Sequence, residues 1–410
     1  MAIEFNTSER ATLGVEWELQ LVDTGTRHLR QEAQQVLNEL PELSGSGNPP
    51  LRHELMQCQV EVVTGICETV EEARADLAGN TRRLTEVLEP RQAMLMCAGT
   101  HPLDDWRDQT LSPVQRYGEL IDQMQWLARR ILTFGVHVHV GVRSQDNVIP
   151  VVNALANYLP HFLGLTASSP FWNGHDTGLA SSRSIVFGAL PTSGPPPNLP
   201  HWRAFEEYME TLLRAGTIST IKEVWWDVRP HADFGTVEIR MFDGIPTLRE
   251  VGMAAAMSQC LVHMFESRIE RGYSLPSPPT WVVNDNKWRA TRYGLDARVI
   301  TDERGTTMPL RDDLYELVRE LAPIADRLGC AEDLDVVTEV LEKGASYERQ
   351  RAVIDQGGTL NDVIDLLGAE FRAGGFGSDA LGAAVQPSRD RGRANGAPTG
   401  GAGTITREQT

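Results

Sequence analysis

Cysteine is scarce in this chain: five in 410 residues, at positions 58, 67, 97, 260 and 330, an odd number with no Cys-x-x-Cys spacing. That argues against a disulfide framework or a thiolate zinc module, and leaves thiols expected to be reduced and structural. Cys58 and Cys67 flank an acidic segment, yet a buried apolar role is the better account of each. Long apolar runs are missing too. No stretch approaches the roughly 18 uninterrupted apolar residues of a membrane span. "MAIEFNTSERATLGVEW" has neither the basic region nor the apolar core of a secretory signal, so a cytoplasmic location is expected. Basic charge is in deficit, with 38 Lys and Arg against 56 Asp and Glu and a net charge of −18. A nucleic-acid partner or an anionic membrane surface would need a basic footprint, so neither is expected. There is no Gly-x-x-x-x-Gly-Lys-[Ser/Thr] loop, so any nucleotide must be gripped by other means.

What is present is an ordinary globular composition, 41% hydrophobic and 23% charged, long enough for one large or two medium domains. Segments 11–22, 57–63, 92–98, 134–142 and 235–242 read as strands. Amphipathic stretches at 69–92, 112–132, 151–166 and 202–220 read as helices, the second with Pro113 in its first turn. "PTSGPPPNLP" (191–200) predicts an ordered loop without regular structure. From 311 to 372 the pattern is helical, broken near Gly329, Gly344 and Gly357, with "TLND" as the capped start of the last helix. Residues 373–410, rich in Gly and Ala, are expected to be a disordered tail.

The strands share one property. "FGVHVHVGV" alternates His137 and His139 against four valines. "GVEWELQLV" puts Glu16, Glu18 and Gln20 on one face, with Val15, Trp17, Leu19 and Leu21 on the other. "QCQVEVV" aligns Gln57, Gln59 and Glu61, with Glu54 just upstream, and "TVEIRMF" aligns Glu238 and Arg240. A face open to water accounts for any single strand of this kind. Such faces usually carry Thr, Lys, Ser and Arg, however, and carboxylates crowded across a sheet repel. Cations placed among them account better for the four together. The oxygen-rich, cysteine-free set suits Mg²⁺ or Mn²⁺, and more than one ion would suit a polyphosphate. Arg240 is placed beside Glu238 to neutralise a phosphoryl oxygen.

"TLGVEWELQLVD" (12–23), "FGVHVHVG" (134–141), "SSRSIVFGALPTSGP" (181–195), "WWDVRPHADFGTVEIRMFD" (225–243) and "NKWRATRYGLDA" (286–297) resemble, in order, the bacterial carboxylate–amine ligases, the type 2 glutamate–cysteine ligase family. The resemblance runs from about residue 11 to 372. It implies an α+β, glutamine-synthetase-like fold: a curved antiparallel sheet with helices on its convex face, one catalytic domain over 1–372 and a helical C-terminal part. It implies Glu16, Glu18, Glu54, Glu61, His137 and Glu238 as metal ligands, with Glu238 and Arg240 catalytic. His139, Arg229 and Arg240 would meet ATP phosphates, and Arg183, Gln59 and Trp226 the substrate. Gln59 and Trp226 could equally be structural. Many members carry an unbroken acidic triplet in the first strand; Trp17 replaces its middle residue here, on the face turned away from the site.

The chemistry so implied uses ATP to phosphorylate a carboxylate, taken as the γ-carboxylate of L-glutamate. An amine such as that of L-cysteine then attacks the acyl phosphate. Two alternatives stay open: another acid or amine in specialised metabolism, and a non-catalytic metal- or nucleotide-binding relative. The partners expected are small molecules, and a homo-oligomer is left open.

Overall fold

In the computed structural model, which describes residues 3–8 and 11–376, the expected strands join into one antiparallel sheet. Its members are β1 (Leu13–Asp23), β2 (Leu51–His53), β3 (Gln59–Val63), β4 (Ala93–Met96), β5 (Gly135–Gly141), β6 (Val228–His231) and β7 (Thr236–Asp243). The order is β6-β7-β5-β1-β3-β2, and β4 pairs with the far half of β1. Long β1 is the spine: Glu16 lies opposite His137 on one side, and Glu18 opposite Glu61 on the other. β2 and β6 had no sequence expectation; at three and four residues they are too short to show a period.

Alternation does the sorting. Val15, Trp17, Leu19 and Leu21 are buried in one core with Val136, Val138, Val140, Val237 and Ile239. That core draws on residues from Ile3 to Tyr347. Trp17 donates its indole N–H to Ile245 O at 3.2 Å and packs 5.1 Å from Phe371, as expected of a core residue. Over the apolar face lies helix Leu248–Glu270, capped by Thr247, whose side chain accepts from Glu250 N. It carried no sequence expectation because it is buried nearly all round and so lacks an amphipathic stripe.

Helix Val70–Leu88 forms as read, with Thr69 and Glu72 completing a capping box. Other boundaries differ. The 112–132 stretch is two helices, Gln115–Met124 and Trp126–Arg129, parted at Gln125 with φ +50°, and Pro113 precedes the first. The 151–166 stretch begins earlier, at Gln145, and is interrupted by a 3₁₀ turn over Ala156–Tyr158. The window of Gln145–Thr166 is apolar enough for a membrane span, but 78% of it is buried within the protein. Helix Trp202–Arg214 stops short of 220. Within 191–200, Ser193–Gly194 pairs with Trp225–Trp226, so that loop does hold a short ladder. Four helices fill the C-terminal part: Leu310–Leu328, Ala331–Lys343, Ser346–Asp355 and Leu360–Ala373. The last is capped by Thr359 and ends at Gly374 in the left-handed region. The tail expected from 373 otherwise falls outside the described residues. All five cysteines are buried and free.

Candidate active site

The polar face of the sheet is assembled by register. Arg229 stands opposite Glu238, Glu238 opposite His139, His137 opposite Glu16, Glu18 opposite Glu61, and Glu61 opposite Arg52. Period-two alternation along each strand turns these side chains to the same side.

Carboxylates gather at the centre. Glu16, Glu61 and His137 each offer a donor atom within 4.8 Å of the others. His137 Nδ1 is 2.9 Å from Glu16 Oε2, and His137 Nε2 is 3.7 Å from Glu18 Oε1. Glu18 accepts from Gly135 N–H at 2.6 Å. A Cβ at 135 would come within 2.3 Å of Arg183 Nη2, so a larger residue there would displace that guanidinium. Burial and then the charge of Glu54 push the Glu18 carboxyl up to about 8. Burial, then Glu16 and Glu54, hold Glu61 well above its ordinary range, and burial raises Glu54 as well. Glu16 goes the other way: burial opposes its charge, but His137 and His139 outweigh it. His137 is lowered to about 4 by burial and by Arg240.

A divalent cation fits this group. Carboxylates that repel one another at close range are relieved by one, and His137 Nε2 and His139 Nε2 are buried without a hydrogen-bond partner, as open ligand positions would be. Glu16, Glu61 and His137 form the tight set, with Glu18 and Glu54 beside it.

Glu238 lies among guanidinium groups. It was expected among the metal ligands, but both its oxygens are engaged by guanidinium groups: Arg229 Nε at 2.6 Å and Nη2 at 3.3 Å, and Arg240 Nη1 at 3.0 Å. Burial disfavours its charge, yet Arg229 and Arg240 hold it far below the usual carboxylate range. The two arginines are not equivalent. Arg229 also donates Nη1 to the carbonyls of Lys222 and Val224, so nearly all its donors are engaged. Arg240 makes that one side-chain bond, and its buried Nε has no partner. A β-bulge aims it: two residues of β7, Arg240 and Met241, stand against His137, and pairing resumes at Phe242. Burial and the neighbouring Arg229 make the Arg240 cation costlier to hold, a state that an incoming anion would relieve.

His139 bonds Thr236 Oγ1 at 3.1 Å and lies 3.5 Å from Glu16 Oε1. Arg183, from helix Ser182–Phe187, is buried and reaches the carbonyls of Met241 and Arg240 at 3.3 Å each, leaving Nε unpartnered.

Two residues named for the substrate are held by the protein's own groups. Gln59 accepts from Met56 N at 3.1 Å and donates to Thr133 O at 2.9 Å, so its amide is used at both ends by the backbone. Trp226 is buried against Phe205 and Tyr208. Alternation back from Arg229 does place Asp227 with the site and Trp226 against it. Sequence reasoning missed Asp227 and its partner Lys287, whose Nζ meets both Asp227 oxygens at 2.8 Å.

Residues 12–365 match glutamate–cysteine ligase family 2. The chain belongs to this ligase family. A Thermobifida fusca relative, provisionally named glutamate–cysteine ligase 2, is 72% identical over 393 residues, 96% of this chain and 98% of its own. A Frankia alni relative with a similar provisional name is 55% identical over 376 residues, covering 91% and 98%. Among solved structures, a glutamate–cysteine ligase from Francisella tularensis in complex with AMP superposes with a TM-score of 0.65 at 11% identity, covering 93% of each chain. At that identity the likeness is one of fold, and it accords with the α+β architecture expected of this family member.

Proposed function

We propose that this family member uses ATP to phosphorylate the γ-carboxylate of L-glutamate and then couples the acyl phosphate to an amine, with L-cysteine as the first candidate, releasing ADP and phosphate. The observation that carries the reading is the crowd of buried and partly buried, mutually repelling carboxylates on one side of the sheet, bordered by an arginine with unused donors. Glu16, Glu61 and His137, with Glu18 and Glu54 beside them, would hold Mg²⁺ or Mn²⁺; a bound ion supplies charge neutralisation for the polyphosphate.

The chain's own residues do the rest. Arg240 presents free N–H groups to the transferring phosphoryl oxygens, where a positioned cation counts most in a water-poor site. Glu238 fixes that guanidinium, and Arg229 fixes Glu238. His139, tied to Thr236, lies beside Glu16 on the phosphate side. Holding the acyl phosphate and amine together makes the second step effectively unimolecular, so no enzyme nucleophile is required.

The test is ADP and phosphate release with L-glutamate against a panel of amino acids and simple amines, the products identified by mass. A γ-glutamyl product with L-cysteine supports the full reading. Coupling to another amine moves the acceptor and leaves the chemistry. No substrate-dependent ADP release with any of them rejects the reading.

A further inference from the structure

The β-bulge that aims Arg240 needs support of its own. Pairing with β5 lapses over Arg240 and Met241, and backbone polar groups released from a ladder inside a protein need other partners. Arg183 supplies them: Nη2 donates to Arg240 O and Nη1 to Met241 O, each at 3.3 Å. Arg240 N donates to Asp227 O at 2.9 Å. The backbone of Arg240 is therefore gripped on both sides, while its side chain rests on Glu238 at 3.0 Å.

Arg183 is in turn fixed from the same strand. Its backbone N–H donates to Ser169 Oγ at 3.1 Å, and Ser181 caps its helix by accepting from Ser184 N. Both serine hydroxyls donate to Asp243, Ser169 at 2.6 Å and Ser181 at 2.8 Å, and Ser168 N joins them at 3.0 Å. Asp243 is fully buried and ends β7, shortly beyond Arg240. The chain of bonds leaves β7 at Asp243, passes through two serines and Arg183, and returns to β7 at the bulge.

We propose that Arg183 and Asp243 are positioning residues for phosphoryl transfer, acting on Arg240 through the bulge rather than by touching substrate. This rests on Arg240 being the phosphoryl contact of the reaction proposed above, and deepens it by naming what keeps that guanidinium in line. A closed circuit matters because a group displaced by about 1 Å from the reacting atoms costs up to roughly 10²-fold in rate. Arginine suits position 183 because its planar fork spans two successive carbonyls, where a lysine ammonium is a point charge.

The test measures ADP release with L-glutamate and L-cysteine, and amide exchange, on Arg183→Lys, Asp243→Asn, Arg240→Lys and the Arg183→Lys/Arg240→Lys double variant. Arg183→Lys should lower kcat roughly 10-fold or more, with KM for L-glutamate and ATP changed by no more than about 2-fold. Asp243→Asn should act in the same direction to a smaller extent. In the double variant, Arg183→Lys should cost little beyond Arg240→Lys alone, because residues acting through one group do not add. Exchange over 238–242 should quicken in Arg183→Lys and Asp243→Asn, while helix Leu310–Leu328 exchanges as in the wild type. A raised KM for L-glutamate at unchanged kcat would make Arg183 a substrate contact and overturn the proposal. Full multiplicative losses in the double variant, or unchanged exchange across the bulge, would overturn it equally. A wild type without turnover rejects the reaction proposed above; the exchange measurement then still decides whether Arg183 and Asp243 set the bulge.

Discussion

Two buried charge clusters in this molecule have opposite characters. In the helical layer, Arg349 donates to Glu250 at 2.9 Å, to Glu370 at 2.7 and 3.1 Å, and to Gly344 O at 2.8 Å. Thr247 Oγ1 supplies Glu250's other oxygen at 2.8 Å. On the sheet face, Glu16, Glu18, Glu54 and Glu61 face one another with two histidines and one underused arginine, and buried nitrogens there have no partner. The first cluster is closed and complete as protein alone. The second has unused donors and closely spaced carboxylates, which a bound cation and an anion would satisfy. Buried charge by itself therefore does not mark a site; incompletely satisfied buried charge does.

Chelation should produce the largest contrast. Excess EDTA is expected to abolish ADP release, and Mg²⁺ or Mn²⁺ should restore it, because the open cluster depends on a cation. Full turnover in excess chelator would erase the distinction between the clusters. Next in size is Arg349→Met, which leaves Glu250 and Glu370 buried without their cation. A loss of about 3–5 kcal/mol is expected, read as a lower urea midpoint at constant m. An unchanged midpoint would show that the closed network is not holding the helices together.

Histidines give the same comparison on a smaller scale. His101 is fully buried with both nitrogens used: Nε2 donates to Arg27 O at 3.1 Å and Nδ1 accepts from Asp104 N at 3.0 Å. Burial lowers it from 6.5 to about 4. Between those values the unfolded chain binds more protons than the folded one, so stability rises with pH. This contribution is complete above about 6.5 and is lost as pH falls toward 4, amounting to about 3 kcal/mol over the window. His101→Gln removes that titration. The wild type's urea midpoint should therefore fall relative to the variant's between pH 7 and 4.5; parallel curves would refute the closed-histidine account.

Much of this was legible in the strands. Strict alternation placed His137, His139, Glu16, Glu18 and Glu61 on one face, because a strand's period is local and survives into the fold. What stayed hidden depended on register or on distant partners. The bulge at Arg240–Met241 leaves no mark in "TVEIRMF": alternation alone sends Met241 to the core and Phe242 to the site, whereas Phe242 is the residue that packs on Phe162 at 5.1 Å. Nothing in the composition pairs Arg229 with Glu238, and so Glu238 was expected to face metal rather than two guanidinium groups. Lys287 and Asp227 lie sixty residues apart, beyond the reach of any periodic pattern. The break at Gln125 requires a left-handed backbone at a residue with no special aptitude for it.

The finest comparison is between the two arginines on Glu238. Arg240→Lys keeps a charge but loses the planar fork, and only at Arg240 are the donors otherwise uncommitted. The expected outcome is a fall in kcat of roughly 10²-fold, the scale of losing one transition-state donor, with a smaller change in KM for ATP and an unchanged urea midpoint. Arg229→Lys removes bonds to Glu238 and to the carbonyls of Lys222 and Val224, so its effect should appear in stability first and in turnover only through a displaced Glu238. Steady-state kinetics of the two variants beside their denaturation curves decide the matter. If Arg240→Lys turns over normally, or if Arg229→Lys is the variant that loses kcat at full stability, the roles are reversed and Arg229 is the phosphoryl contact.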